Sequence, residues 1–196
     1  KQPMKEKYLL SGPLEESNDA YAIAKISGIK MCQYYSDKYN VNYKSLMPPN
    51  LFGPNDNYDL KNSHFFPALI KKIHNAKKKK IKDLLIWGTG KAKRELMYVD
   101  DFAKAAIFFM KKRFKEPFIN IGIGKDYSID WYAKFIMKQL KVNLKIKYDL
   151  SKPDGMPKKC LDISLAKKYG WSPTVNPYMM RKNFETTYNQ FLKKIK

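Results

Sequence analysis

Four short runs are apolar or alternate apolar with polar: Val41–Met47, Asp83–Trp87, Pro117–Gly122 and Leu144–Tyr148. Each ends in residues that break regular structure, such as Pro48-Pro49, Gly88-Thr89-Gly90, Gly122-x-Gly124 and Ser151–Pro157. Stretches with helical character follow them: His64–His74, Asp100–Lys112, Ser128–Leu140 and Asp162–Tyr169. Parallel neighbours need a crossover connection, usually a helix, whereas antiparallel neighbours need only a tight turn. The alternation therefore implies an α/β chain with a largely parallel sheet and added elements. No internal repeat interrupts it.

The stretch from Ser17 to Tyr39 reads as a helix ahead of the first strand, with Asn18 or Asp19 as its cap. Tyr21 and Lys25 stand one turn apart and share a face. A free phenol titrates near pH ~10, and a neighbouring ammonium favours its ionised form. A phenol tuned this way can protonate the oxygen of a carbonyl under reduction. The spacing alone is weak, since it recurs at Tyr34/Lys38, Tyr148/Lys152 and Tyr178/Lys182. Around Tyr21, however, Ala22, Ala24 and Gly28 leave a thin helix surface that a flat ligand can approach.

Composition narrows the classes. With 196 residues and 44% hydrophobic, the chain suits one globular domain or a domain and a half. No apolar run approaches the ~18 residues of a membrane span, and no charged-then-apolar leader opens the chain. Cys32 and Cys160 are far apart and lack metal spacing, which points to reduced thiols and a cytoplasmic protein. Two histidines, His64 and His74, leave no material for a His-based metal cluster. The net charge of +21 invites an anionic partner. Its lysines are scattered, with one true run at Lys77–Lys80 read as an exposed turn, so a nucleic-acid partner is disfavoured. Lys1–Glu16 reads as a loop, Arg94–Val99 as extended, Asp100-Asp101 as a helix cap, and Asn176-Pro177 as the opening of a final helix. Nothing before Tyr21 matches the glycine fingerprint that opens a complete dinucleotide fold. The chain begins with Lys, which suggests that sequence is missing upstream.

Several segments together carry a resemblance: Tyr21-Ala-Ile-Ala-Lys25-Ile-Ser-Gly-Ile-Lys-Met-Cys, Pro48-Pro-Asn-Leu-Phe-Gly-Pro, Asn62-Ser-His64, Trp87-Gly-Thr-Gly, Arg94-Glu-x-x-Tyr-Val-Asp-Asp and Ser151-Lys-Pro-Asp-Gly. Their order and spacing resemble the GDP-L-fucose synthase family, a branch of the extended short-chain dehydrogenases/reductases. The likeness covers essentially the whole chain and implies an incomplete Rossmann-type parallel sheet lacking its N-terminal half, with a smaller α/β substrate-binding domain. Residues 1–50 and 97–122 would be the C-terminal half of the NADP-binding domain, and 51–96 with 123–196 the GDP-sugar domain.

The implied reaction is 3,5-epimerisation of GDP-4-keto-6-deoxy-D-mannose followed by NADPH-dependent reduction at C4. The resemblance makes Tyr21 the acid at the C4 oxygen, Lys25 its partner and a ribose contact, and His64 the acid that reprotonates carbon. The cofactor would touch Tyr21, Lys25, Pro48, Pro49, Asn50, Leu51 and His64. The GDP-sugar would touch Asn50, Lys72, Trp87, Arg94 and Asp154. It also implies a homodimer for the full-length protein. The family's catalytic serine and cysteine lie upstream of Lys1, Pro49 replaces a common Thr, and Lys72 replaces a common Arg. The fragment is thus expected to be inactive alone. Plainer alternatives stand beside these roles. Lys25 would be a surface lysine, His64 a helix cap, Trp87 a core residue, Arg94 a bridge to Asp100 or Asp101, and Asp154 a turn residue. Another nucleotide-sugar reductase and a basic nucleic-acid-binding module are the competing classes.

Overall fold

The computed structural model describes residues 1–174 and 177–195; Asn176, expected to open the last helix, lies outside them. The first long helix, α1, is Asp19–Tyr39 and closes at Asn40 in the left-handed region, φ 50°. Asn18 makes no capping bond with its side chain; Asp19 Oδ1 accepts from the Ala20 N–H instead. Ile29 is the one fully buried residue of α1. Tyr21, Ile23, Met31, Tyr34, Tyr35 and Tyr39 are exposed along it.

The strand expected over 41–47 shortens to β1, Ser45–Met47. The cause is local: Ser36 Oγ donates to the Tyr43 carbonyl and accepts from the Tyr43 N–H, holding that segment against α1. Pro48 and Pro49 break the strand, yet the chain does not become a loop there. It forms β2, Asn50–Phe52, whose Phe52 ring packs edge-on to Phe66 at 5.0 Å. Next, α2 is Phe65–Lys78, with Phe66, Leu69, Ile70, Ile73 and Ala76 buried at helical spacing and Pro67 in its first turn. The expected exposed lysine turn is corrected in part. Lys77 and Lys78 belong to the helix, and Lys77 Nζ donates to the Leu140 carbonyl at 2.8 Å. That bond satisfies a carbonyl at the end of a neighbouring helix.

The remaining strands are β3 (Asp83–Trp87), β4 (Lys93–Arg94), β5 (Leu96–Tyr98), β6 (Phe118–Asn120), β7 (Tyr127–Ser128), β8 (Lys145–Asp149) and β9 (Lys158–Lys159). Helices α3 (Val99–Met110), α4 (Ile129–Gln139), α5 (Ser164–Lys168) and α6 (Pro177–Lys194) connect or follow them. Parallel pairs are β1 with β6, β2 with β5, and β3 with β8. Strand β4 lies between β7, antiparallel, and β9, parallel. The extended stretch expected over 94–99 therefore breaks at Glu95 into two strands. Asp100 and Asp101 sit in the first turn of α3 rather than at its cap, which is Tyr98. Ser128 caps α4 as expected, accepting from the Trp131 N–H at 3.1 Å.

Two apolar clusters result. One joins β3 to α2, α4 and α6 through Phe66, Ile70, Ile73, Tyr132, Ile136 and Phe184. The other gathers Met97, Ala105, Phe109, Ile119, Ala166 and Trp171. The β2–β5 pair faces both. Phe52, Leu96 and Tyr98 enter the first cluster, while Leu51 and Met97 pack on the second. Residues 1–16 are less irregular than expected. Met4 bridges to Leu161, and Asn120 Nδ2 donates to the Met4 carbonyl at 2.9 Å.

Truncating Phe66 to Ala removes a ring shared by α2, β2 and α4. We expect a loss of about 3–5 kcal/mol in chemical denaturation. Ile107→Ala, on an exposed position of α3, is expected to stay within about 0.5 kcal/mol. Equal losses would contradict the packing described.

Candidate functional site

Side chains of β3 alternate: Leu84 and Ile86 enter the core, and Leu85 and Trp87 leave it. Trp87 is 53% exposed, which excludes the core alternative for it. Lys72 reaches over from α2. Its Nζ donates to the Leu85 carbonyl at 3.2 Å and stands 5.1 Å from the Trp87 ring centroid. Lys152 Nζ stands 5.9 Å from the same ring. An indole flanked by two ammoniums offers a flat face and positive charge together. Partial burial lowers the Lys72 pKa, and Asp149 opposes that shift.

The turn after Trp87 needs glycine. Gly88 and Gly90 take φ +68° and +70°, and a Cβ on Gly88 would overlap the Asp154 carboxylate. That carboxylate accepts from the Thr89 N–H on Oδ1 at 2.7 Å and from the Thr89 hydroxyl on Oδ2 at 2.6 Å. These bonds, the hydroxyl's first, lower the Asp154 pKa below its ordinary value. Asp154 thus does more than shape its own turn.

Arg94 engages backbone with three of its donors. Its Nη1 donates to the carbonyls of Lys93 at 2.8 Å and Met156 at 2.6 Å, and its Nη2 to that of Asp154 at 3.3 Å. The expected alternative, a bridge to Asp100 or Asp101, is not formed; Asp101 pairs with Lys104 at 3.5 Å. Burial lowers the Arg94 pKa, with Asp154 opposing. The Tyr132 hydroxyl donates to the Arg94 carbonyl at 2.9 Å.

Glu95 was not singled out in the sequence, and it fixes this region. It is 2% exposed. Oε1 accepts from the N–H groups of Ile123 at 2.5 Å and Gly124 at 2.8 Å, and Oε2 from Leu161 at 2.6 Å. A Cβ on Gly122 would overlap Oε1. Burial raises the Glu95 pKa and the three amides oppose it. The signal in the sequence was Gly122-x-Gly124, a turn after a strand that no fingerprint explained.

Tyr21 and Lys25 meet as their spacing requires. Both are exposed, and Lys25 Nζ lies 5.4 Å from the Tyr21 ring centroid. The competing Tyr148/Lys152 pair differs, because the Tyr148 phenol donates to Asp130 Oδ1 at 2.7 Å and its pKa is raised by that bond. His64 stands at the N-cap of α2, exposed, with no side-chain capping bond, which removes its cap alternative. Among the described residues, no hydrogen bond, ion pair or ring contact joins it to Tyr21 or Lys25. Pro48 and Pro49 link β1 to β2, and Asn50 and Leu51 lie half-buried within β2. The structure thus assembles Lys72, Trp87, Arg94 and Asp154 around one turn and keeps Tyr21 with Lys25 on α1. Among the described residues, no cluster of His, Cys, Asp and Glu could hold a metal, and no helix is long and apolar enough to cross a membrane.

Replacing Glu95 with Ala strips three buried N–H groups of their acceptor. We expect a stability loss of about 3 kcal/mol or more, read by urea denaturation. Tyr132→Phe removes one bond and is expected to cost about 1 kcal/mol. A Glu95→Ala loss smaller than that of Tyr132→Phe would contradict the anchoring role.

Comparison with known proteins follows this geometry. The fold matches a GDP-L-fucose synthetase from Naegleria fowleri bound to NADP, with a TM-score of 0.88 and 27% identity over 100% of this chain and 62% of that one. It also matches a GDP-6-OMe-4-keto-L-xylo-heptose reductase from Campylobacter jejuni, with a TM-score of 0.86 and 28% identity over 99% of this chain and 66% of that one. By sequence the chain is 40% identical to the probable GDP-L-fucose synthase 1 of Oryza sativa subsp. japonica, over 99% of its own length and 58% of the relative's. It is 40% identical to the GDP-L-fucose synthase of Escherichia coli K12, over 98% of its own length and 62% of the relative's. The chain thus spans less than two thirds of these curated relatives, and the expected likeness to GDP-L-fucose synthases and the α/β Rossmann-type fold are both found. Residues 1–122, which carry the Tyr21–Lys25 helix, β1, β2, β4 and the Glu95 anchor, match the NAD dependent epimerase/dehydratase family, and the chain belongs to that family.

Proposed function

We propose that this chain is the substrate-facing part of an enzyme that epimerises GDP-4-keto-6-deoxy-D-mannose at C3 and C5 and reduces its C4 ketone to GDP-L-fucose, with NADPH as cofactor. The observation that carries the reading is the turn at Trp87. There an exposed indole, two ammoniums, a guanidinium and a carboxylate meet in a chain 40% identical to proteins named GDP-L-fucose synthase. A flat ring and cations suit a nucleoside diphosphate, and a carboxylate suits sugar hydroxyls. Arg94 has five N–H donors, three of which are engaged with carbonyls. Its free donors, with Lys72, are assigned to the diphosphate, and Trp87, Asn50 and Asp154 to the remainder of the GDP-sugar.

Tyr21 is assigned the proton delivered to the C4 oxygen, with Lys25 one helical turn away beside its ring. His64 is assigned the proton returned to carbon during epimerisation, a task suited to an imidazole, which can both hold and release a proton. NADPH, when bound, supplies the reducing electrons. The residues present fit it: Lys25 is exposed and, among the described residues, pairs with no carboxylate, so its donors are available to ribose hydroxyls. Pro48, Pro49, Asn50, Leu51 and His64 complete that contact in this reading. Residues 1–50 and 97–122 then serve the cofactor, and 51–96 with 123–196 the GDP-sugar. The pyrophosphate fingerprint, the serine and the cysteine base are assigned to sequence outside these residues. A homodimer and a cytoplasmic location belong to the same reading. A second reading, reduction of a related GDP-keto-sugar, draws on the likeness to the heptose reductase; product analysis separates the two.

The test joins this chain to the N-terminal part of the Escherichia coli relative and follows NADPH oxidation with the keto-sugar. Tyr21→Phe is expected to lower kcat by about 10²–10⁴-fold. His64→Asn is expected to abolish solvent deuterium incorporation at C3 and C5. Full activity in the Tyr21→Phe fusion would overturn the assignment.

A further inference from the structure

The Gly88-Thr89 turn does something the roles above do not use. Its two donors take one position on each oxygen of Asp154. A carboxylate offers about four acceptor positions, so both oxygens remain able to accept another bond. Gly88 lets the carboxyl group lie against the turn backbone, since any side chain there would overlap it. The same loop is gripped from its other side. Arg94 donates to the carbonyls of Asp154 and Met156, and a Cβ at Gly155, φ +64°, would lie 3.4 Å from Arg94 Nη2. So the side chain of Asp154 is held by Thr89 and its backbone by Arg94. Lys152, two residues earlier, comes to rest beside Trp87.

Thr89 also decides what Asp154 does with Arg94. An ionised carboxylate near a guanidinium tends to form a bidentate pair with it. That pair would consume the acceptors of one group and the remaining donors of the other. Here the carboxylate is turned to Thr89, and Arg94 reaches only the Asp154 main chain.

We infer that Gly88 and Thr89 form a carboxylate cradle, and that Thr89 is a positioning residue which keeps Asp154 and Arg94 apart and so leaves both able to bind a nucleoside diphosphate sugar. This rests on the proposed function for the ligand class. The cradle itself rests on the geometry of the free chain.

Thr89→Val keeps the shape and removes the hydroxyl donor, whereas Thr89→Ser restores it. Two measurements on the full 196-residue chain test the role, with thermal unfolding confirming that each variant folds. The first is the carboxyl titration of Asp154 by carbon NMR without ligand. The wild-type group should titrate below the ordinary ~3.9 for aspartate, the valine variant should move up towards it, and the serine variant should stay with the wild type. The second is calorimetric binding of GDP-mannose across pH. The valine variant should bind about tenfold more weakly at neutral pH, and its affinity should begin to fall at a higher pH as the solution is acidified. The serine variant should bind within about twofold of wild type.

An unchanged titration in Thr89→Val overturns the cradle. A shifted titration with unchanged affinity overturns the positioning role and leaves a loop clasp. A wild-type chain that binds no GDP-mannose, with the titration shift intact, overturns the ligand reading while supporting the cradle.

Discussion

Three register pairs, Asn50 with Leu96, Leu51 with Met97 and Phe52 with Tyr98, hold the two halves of this molecule to one wall. Side chains of a strand alternate between faces, so the pair serves two cores at once. Phe52, Leu96 and Tyr98 bury on one side and Leu51 and Met97 on the other. A shift of one residue in this pairing would exchange the two sets and spoil both cores together. Register here is therefore strongly specified.

The candidate site around Trp87 depends on a second device, the buried carboxylate of Glu95. It lies between β4, which carries Arg94, and β5, which pairs with β2. Three amides from two distant segments converge on it. The kink between the strands is thereby tied to the 122–124 turn and to Leu161. Arg94 receives a fixed backbone from this anchor on one side and from the Tyr132 hydroxyl on the other. An arginine so placed has its backbone and guanidinium fixed in the free chain, which would lower the ordering entropy of binding in the proposed role.

Much of this was legible in the sequence. The runs at Asp83–Trp87 and Leu144–Tyr148 became a parallel pair because alternation with helices leaves few other arrangements. Tyr21 and Lys25 share a face because helical geometry leaves them no choice. Other features depended on partners far along the chain. Asn50–Phe52 follows two prolines that end the strand before it, and becomes a strand only because Leu96–Tyr98 offers it a ladder and Phe66 a packing surface. Val41–Lys44 reads as strand, but Ser36 holds Tyr43. Glu95 looks like any surface glutamate until Ile123, Gly124 and Leu161 surround it. Lys77 sits in a run of like residues, yet the carbonyl it reaches belongs to Leu140. Local pattern reported elements well and could not report these long-range polar contacts.

The seating of residues 2–6 bears on the order in which the chain acquires its shape. Met4 exchanges backbone bonds with Cys160 and Asp162, Gln2 accepts from the Cys160 N–H, and Glu6 accepts from the Asn120 N–H. The Glu6 contact needs the chain as far as Asn120 and the others need it as far as Cys160 or Asp162, and closing such long loops is slow. During vectorial synthesis α1 can coil early, but the segment ahead of it must wait until residues as far as Asp162 have left the ribosome. For that interval residues 2–6 are tethered to α1 without their partners, a stage at which chaperone capture competes with misassociation.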